Sequence, residues 1–252
     1  MKNILILVLL CLKMQFAISQ QVQRKYTINY NGWYMYFGDH KISDKWGVHL
    51  EAQLRRNEII TKGQQLLLRT GINYHFNNQV FATVGYGFIE TYPYGDFPVK
   101  ATYPEHRIWE QIQIKSQLGI SEFTSRFRLE QRFSQLPVNR GDQFKQGPSV
   151  YTNRFRLLTR LSFPFKGKTI EDNSFYATIY EELFINFGKK VGYNIFDQNR
   201  AYAALGYKLP KLGRLEVGYL NQLAFKGDGI QVENNHTLQA SLISALPFYR
   251  GK

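Results

Sequence analysis

Apolar and polar residues alternate with a period of two along much of the chain, and arginines repeatedly hold the polar positions. From Phe123 to Phe133 the odd positions read Phe, Ser, Phe, Leu, Gln and Phe, while Thr124, Arg126, Arg128, Glu130 and Arg132 fill the even ones. Tyr151 to Phe163 repeats the scheme, setting Arg154, Arg156 and Arg160 against Phe155, Leu157 and Leu161. Successive side chains of a strand point to opposite faces, so each segment carries one mostly apolar wall and one charged wall. Both segments exceed the roughly five or six residues of an ordinary globular strand. They reach the roughly nine to eleven that a tilted strand needs to cross a bilayer.

Eleven segments read as strands, from Tyr26–Phe37 and Trp46–Arg55 through Phe175–Phe187 to a last one over His236–Phe248. Helical periodicity is not evident after residue 20. Shorter connections (Gly38–Asp44, Asn77–Asn78, Gly119–Glu122, Lys166–Asn173, Pro210–Gly213) alternate with longer or more polar ones (Asn57–Gly63, Tyr92–Pro104, Ser134–Pro148, Lys189–Phe196, Lys226–Asn234). Outer-membrane barrels have short periplasmic turns and longer external loops. That assignment ends the last strand in the periplasm and starts the first visible one outside. An even count then requires one more crossing, within Gln21–Asn31. The expected fold is therefore all-β: a single antiparallel transmembrane barrel of twelve strands, with ten as the alternative. The soluble competitor is a periplasmic β-sandwich, which would place Leu and Phe inside and Arg outside.

The first residues read as an export signal. Lys2 precedes an apolar run from Ile4 to Leu12, and Ala17-Ile18-Ser19 is a small-x-small cleavage site. Residues 1–19 are expected to be the signal peptide and 20–252 the barrel domain, exported to a bacterial outer membrane. Cys11 is the single cysteine, so the chain after residue 19 offers no disulfide, cysteine nucleophile or cysteine zinc site. No later stretch is apolar enough for a membrane helix. The negative mean hydropathy does not exclude a barrel, whose polar lumen offsets its apolar exterior. An aromatic content of 15% suits interfacial girdles. The formal charge is +13, or +11 once Lys2 and Lys13 leave with the signal. These arginines lie inside strands beside glutamates rather than in a basic tail, which argues against nucleic acid.

The strings RTGINYHF (Arg69–Phe76), GYGF (Gly85–Phe88), YPEHRIWEQ (Tyr103–Gln111), RFRLEQRF (Arg126–Phe133) and NRFRLLTRL (Asn153–Leu161) continue with EELFINFG (Glu181–Gly188), FDQNRAYAALGY (Phe196–Tyr207), GYLNQ (Gly218–Gln222) and NNHTLQ (Asn234–Gln239). Together they resemble the domain-of-unknown-function family 2490, small barrels expected in bacterial outer membranes. The resemblance runs from about Trp33 to Gln239 and implies fold and location; it carries no activity.

The strongest constellation is the expected lumen set of Arg55, Arg69, Arg107, Arg126, Arg128, Arg132, Arg154, Arg156, Arg160 and Arg200, with Glu51, Glu105, Glu130, Glu182 and Glu216 as counterparts. These groups form either an ion-paired plug, since buried charges need compensation, or a surplus of guanidinium that attracts phosphate or carboxylate solutes. Parity around Glu181-Glu182 is ambiguous. Of the histidines, His106 beside Glu105 is the best candidate for lipid chemistry at the outer wall, although a lone interfacial histidine usually has a structural role. No HExxH, GxSxG or Walker loop occurs, and no cofactor or metal set is recognisable. The favoured function is non-enzymatic: a narrow channel or binding barrel for small anionic solutes, in contact with outer-membrane lipid. A lipid-modifying barrel enzyme and a plugged structural barrel are the alternatives.

Overall fold

Alternation dictates the architecture: long strands with one polar face pair until the polar faces enclose a lumen. In a computed structural model that describes residues 23–249, these are β1 (Lys25–Lys41), β2 (Trp46–Asn57), β3 (Lys62–His75), β4 (Val80–Thr91), β5 (Tyr103–Leu118) and β6 (Ser121–Ser134). After a small hairpin, β7 (Pro137–Arg140) and β8 (Gln143–Gln146), follow β9 (Val150–Pro164), β10 (Phe175–Phe187), β11 (Phe196–Leu209), β12 (Gly213–Phe225) and β13 (Gln231–Ser244). The expected signal peptide lies outside the described residues.

All strands except β7 and β8 join one closed barrel in the order β1-β13-β12-β11-β10-β9-β6-β5-β4-β3-β2. The barrel therefore has eleven strands, not twelve or ten. It is also mixed rather than wholly antiparallel. β1 is one uninterrupted strand of 17 residues. It pairs antiparallel with β2 and parallel with β13, from Lys25↔Gln231 to Gly38↔Ser244. Because the first and last strands run the same way, an odd count closes the cylinder. The stretch expected to hide an extra crossing instead supplies, from Lys25 onward, the start of β1.

The connections sort onto two rims. Turns at residues 42–45, 76–79, 119–120, 165–174 and 210–212 share the rim where β1 and β13 end. Segments 58–61, 92–102, 135–149, 188–195 and 226–230 share the other. The hairpin of β7 and β8 rises from this long-loop rim, within the connection Ser134–Pro148.

The inner wall is buried and mostly polar, with an apolar cluster around Trp33, whereas the outer wall exposes Ile28, Leu68, Ile72, Val84, Ile108, Phe127, Ile179, Leu205, Val217 and Leu238. The β-sandwich alternative, with Arg outside, is thereby ruled out. Two breaks in register, at Arg55/Arg56 and at Phe184/Ile185, mark bulges near the long-loop rim. One glycine is required by close approach: a Cβ on Gly206 would stand 2.1 Å from the ring of Tyr176, a fully buried lumen side chain on the neighbouring strand.

Candidate functional site

Strand pairing sets the polar residues in layers. Glu130 on β6 lies opposite Arg154 on β9, and Arg128 opposite Arg156. Every arginine and glutamate of the expected lumen set points into the barrel, so their side chains converge from separate strands. Glu130 is the centre. Arg154 donates from Nε and Nη2 to its Oε2 at 2.9 and 2.6 Å, while Arg156 and Arg69 donate to Oε1 at 2.7 and 3.1 Å. Arg107 approaches Oε2 at 3.6 Å. Glu182 holds a second group: Arg156 at 2.7 Å, Arg126 at 2.6 Å and Arg200 at 3.7 Å. Glu105 accepts from Arg107, from Arg132 at 2.9 and 2.8 Å, and from Ser134 at 2.8 Å. Arg160 and the Tyr176 hydroxyl both donate to Glu216.

Arg128 has only a distant carboxylate, Glu51 Oε2 at 3.9 Å from its Nη1, and is held mainly by other groups. Its Nε and Nη2 donate to the Gln111 amide oxygen at 3.0 and 2.8 Å, and its guanidinium lies 4.5 Å over the Trp109 ring. Arg55 and Arg200 likewise face Trp33 at 4.0 and 4.9 Å. These aromatic faces compensate charge where carboxylates run short. The inward parity of Trp33 and Trp109 was readable from sequence, although their pairing with arginine was not. Asp197 is a further partner, accepting from Arg154 Nη1 at 2.7 Å. It turns inward beside the bulge at Phe184/Ile185, an irregularity that strict alternation does not forecast.

Toward the long-loop rim the lumen is filled. Asn29 donates to Asn235 at 2.9 Å and Asn57 to Asn31 at 3.1 Å, and all four are buried. The β4–β5 connection folds over them: Tyr94 donates to Glu233 at 2.8 Å, and Thr27 donates to Asp96. Burial, then the adjacent Glu233 carboxylate, pushes the Tyr94 phenol well above its ordinary pKa, so it remains a donor.

Toward the short-turn rim the lumen opens into a cup of about 730 Å³. Arg126, Arg160, Lys115, Lys208 and Arg214 line it, with Glu182 and Glu216 beneath. The pairs are presented unequally. The side chain of Arg126 is 16% exposed while its partner Glu182 is 3% exposed, and for Arg160 and Glu216 the values are 19% and 1%. Glu182 and Glu216 are thus sealed behind guanidinium groups, whereas the Asp39 and Glu122 side chains, also in the lining, are 30% and 35% exposed; eight arginines and lysines face five carboxylates around the cup, so its balance is cationic.

His106 faces the outer wall, as the alternation predicts, and Glu105 does not accompany it. Glu105 and His106 point to opposite faces of β5, with Glu105 held by arginines and His106 Nδ1 2.5 Å from the Tyr86 hydroxyl on the outer wall. The parity at the tandem glutamates is resolved: Glu182 enters the lumen, and Glu181 faces outward and accepts from Asn199 at 2.8 Å. Among the described residues no group of three His, Cys, Asp or Glu side chains is spaced to hold a metal ion.

A family model described as "protein of unknown function (DUF2490)" matches residues 30–233. No curated protein and no solved structure matches the chain.

Proposed function

The chain belongs to the DUF2490 family, and on that premise we propose that it is an outer-membrane barrel that binds small anionic solutes in the cup at its short-turn rim. The outward belt of Ile, Leu, Val and Phe supports membrane insertion, since a soluble monomer rarely exposes a contiguous apolar surface of more than a few hundred Å². The short-turn rim then faces the periplasm, and the first residues supply an export signal. The unequal presentation of Arg126/Glu182 and Arg160/Glu216 carries the functional reading: at these two pairs the guanidinium groups meet the solvent and their carboxylates do not, and around the whole cup eight arginines and lysines outnumber five carboxylates. Guanidinium is the side chain best suited to bidentate capture of carboxylate or phosphate.

Binding is favoured over conduction because the Glu130 network and the asparagine pairs fill the lumen beyond the cup. Barrel refolded in detergent should take up inorganic phosphate by calorimetry, lose it in the double variant Arg126→Gln/Arg160→Gln, and give no steady current in planar bilayers. A sustained anion current in the wild type would replace the binding cup with a channel. A chain that is a stable monomer without detergent would end the membrane reading.

A further inference from the structure

The cup has two unlike walls. Met35 and Phe37 from β1, Leu158 from β9 and Tyr180 from β10 line it, with Trp33 deeper in. Most of this apolar surface belongs to one cluster in which Trp33 and Met35 pack with Tyr202 and Leu220, and Phe37 and Tyr180 lie against them. The accessible guanidinium groups stand across the lumen from β1, Arg126 on β6 and Arg160 on β9, with Leu158 beside them on the same wall. An inorganic anion would use the arginines and leave the apolar wall wet. A volume of about 730 Å³ is far larger than such an ion needs and falls within the range of pockets that enclose drug-sized organic ligands. Water against apolar surface is cheaply displaced by an apolar group.

Resting on the anion-cup reading above, we propose that the ligand is an amphiphilic organic monoanion: a carboxylate on an aromatic or aliphatic body. The carboxylate lies at Arg126 and Arg160, and the body covers Met35, Phe37 and Leu158. A single negative charge fits better than two, because Glu182 and Glu216 already offset part of the charge of these arginines.

The test compares 2-naphthoate with acetate by calorimetry on the detergent-refolded full chain, with titration into empty micelles subtracted. Naphthoate is expected to bind at least roughly tenfold more tightly than acetate, since apolar area is removed from water for one and not the other. Phe37→Gln should bring the ratio of the two affinities close to one. Arg126→Gln with Arg160→Gln should abolish binding of both. Equal affinities in the wild type, or an undiminished preference in Phe37→Gln, would overturn the amphiphile inference and leave the anion cup standing. Failure of both anions to bind would overturn the cup itself. Should Phe37→Gln fail to show heat-modifiable migration on gels, Met35→Gln removes apolar surface from the same wall and reads the same ratio.

Discussion

At Glu130 four guanidinium groups, from Arg69, Arg107, Arg154 and Arg156, converge on two oxygens in a fully buried position. Deleting the carboxylate leaves four clustered cations with one remaining carboxylate each, Glu51, Glu105, Asp197 and Glu182, and breaking a buried pair costs ~3–5 kcal/mol. Arg126 is different: it reaches the cup, and its loss leaves Glu182 with Arg156 and Arg200. Glu130→Ala should therefore lower the urea midpoint of the refolded barrel much more than Arg126→Ala does. Equal midpoints for Glu130→Ala and wild type would mean that the interior is wet enough to solvate the charges, and the plug would be refuted. At this scale the sequence was highly legible. Charged residues confined to one parity, as at Arg126, Arg128, Glu130 and Arg132, have only one face on which to lie once the other is apolar. Partner choice was not legible: Glu182 reaching across β9 to Arg126, or Arg128 resting on Gln111 and Trp109, depends on lumen width and side-chain reach rather than on spacing.

Among the elements, the β7–β8 hairpin stands apart from the barrel ladder. Its two strands pair only with each other, and the backbone N–H of Gly147 donates to the Leu136 carbonyl at 3.0 Å, joining the ends of the excursion. Replacing Pro137–Gln146 with a two-residue Gly-Ser link should leave heat-modifiable migration and the urea midpoint unchanged; a fall as large as that of Glu130→Ala would show that the hairpin braces the cylinder. The barrel strands were legible because each carries a long alternating run. The hairpin was not, since Pro137–Arg140 and Gln143–Gln146 are short, polar and without a buried face. The strand count failed for another reason. All eleven barrel strands were visible as segments, and the twelfth was added only to satisfy the even number usual in bacterial single-chain barrels. Nothing in the local pattern of β1 announces that its far edge meets β13 in parallel.

Taken whole, the molecule is a cylinder with unlike ends: filled beneath the long loops and hollow above the short turns. The odd count places the start of β1 at the first rim and the end of β13 at the second. In an outer membrane, Lys25→Cys should then react with an impermeant maleimide on intact cells, whereas Ala245→Cys should react only after the membrane is permeabilised. Labelling of both from the same side would contradict the parallel closure. That closure also bears on how the cylinder forms. Asn29 and Asn235, hydrogen-bonded across the β1–β13 junction, are separated by 206 residues, so this junction closes the longest loop in the strand ladder. Loop-closure entropy rises only slowly with length, but contacts so remote in sequence are late to form. The slanted bonds of a parallel pair are also slightly weaker than antiparallel ones. Until the C-terminal strand arrives, the growing sheet presents two bare edges, β1 on one side and β12 on the other, each a template for a foreign chain. The C-terminal strand is therefore a clasp, and a chain that stalls before making it is left an open sheet prone to self-association.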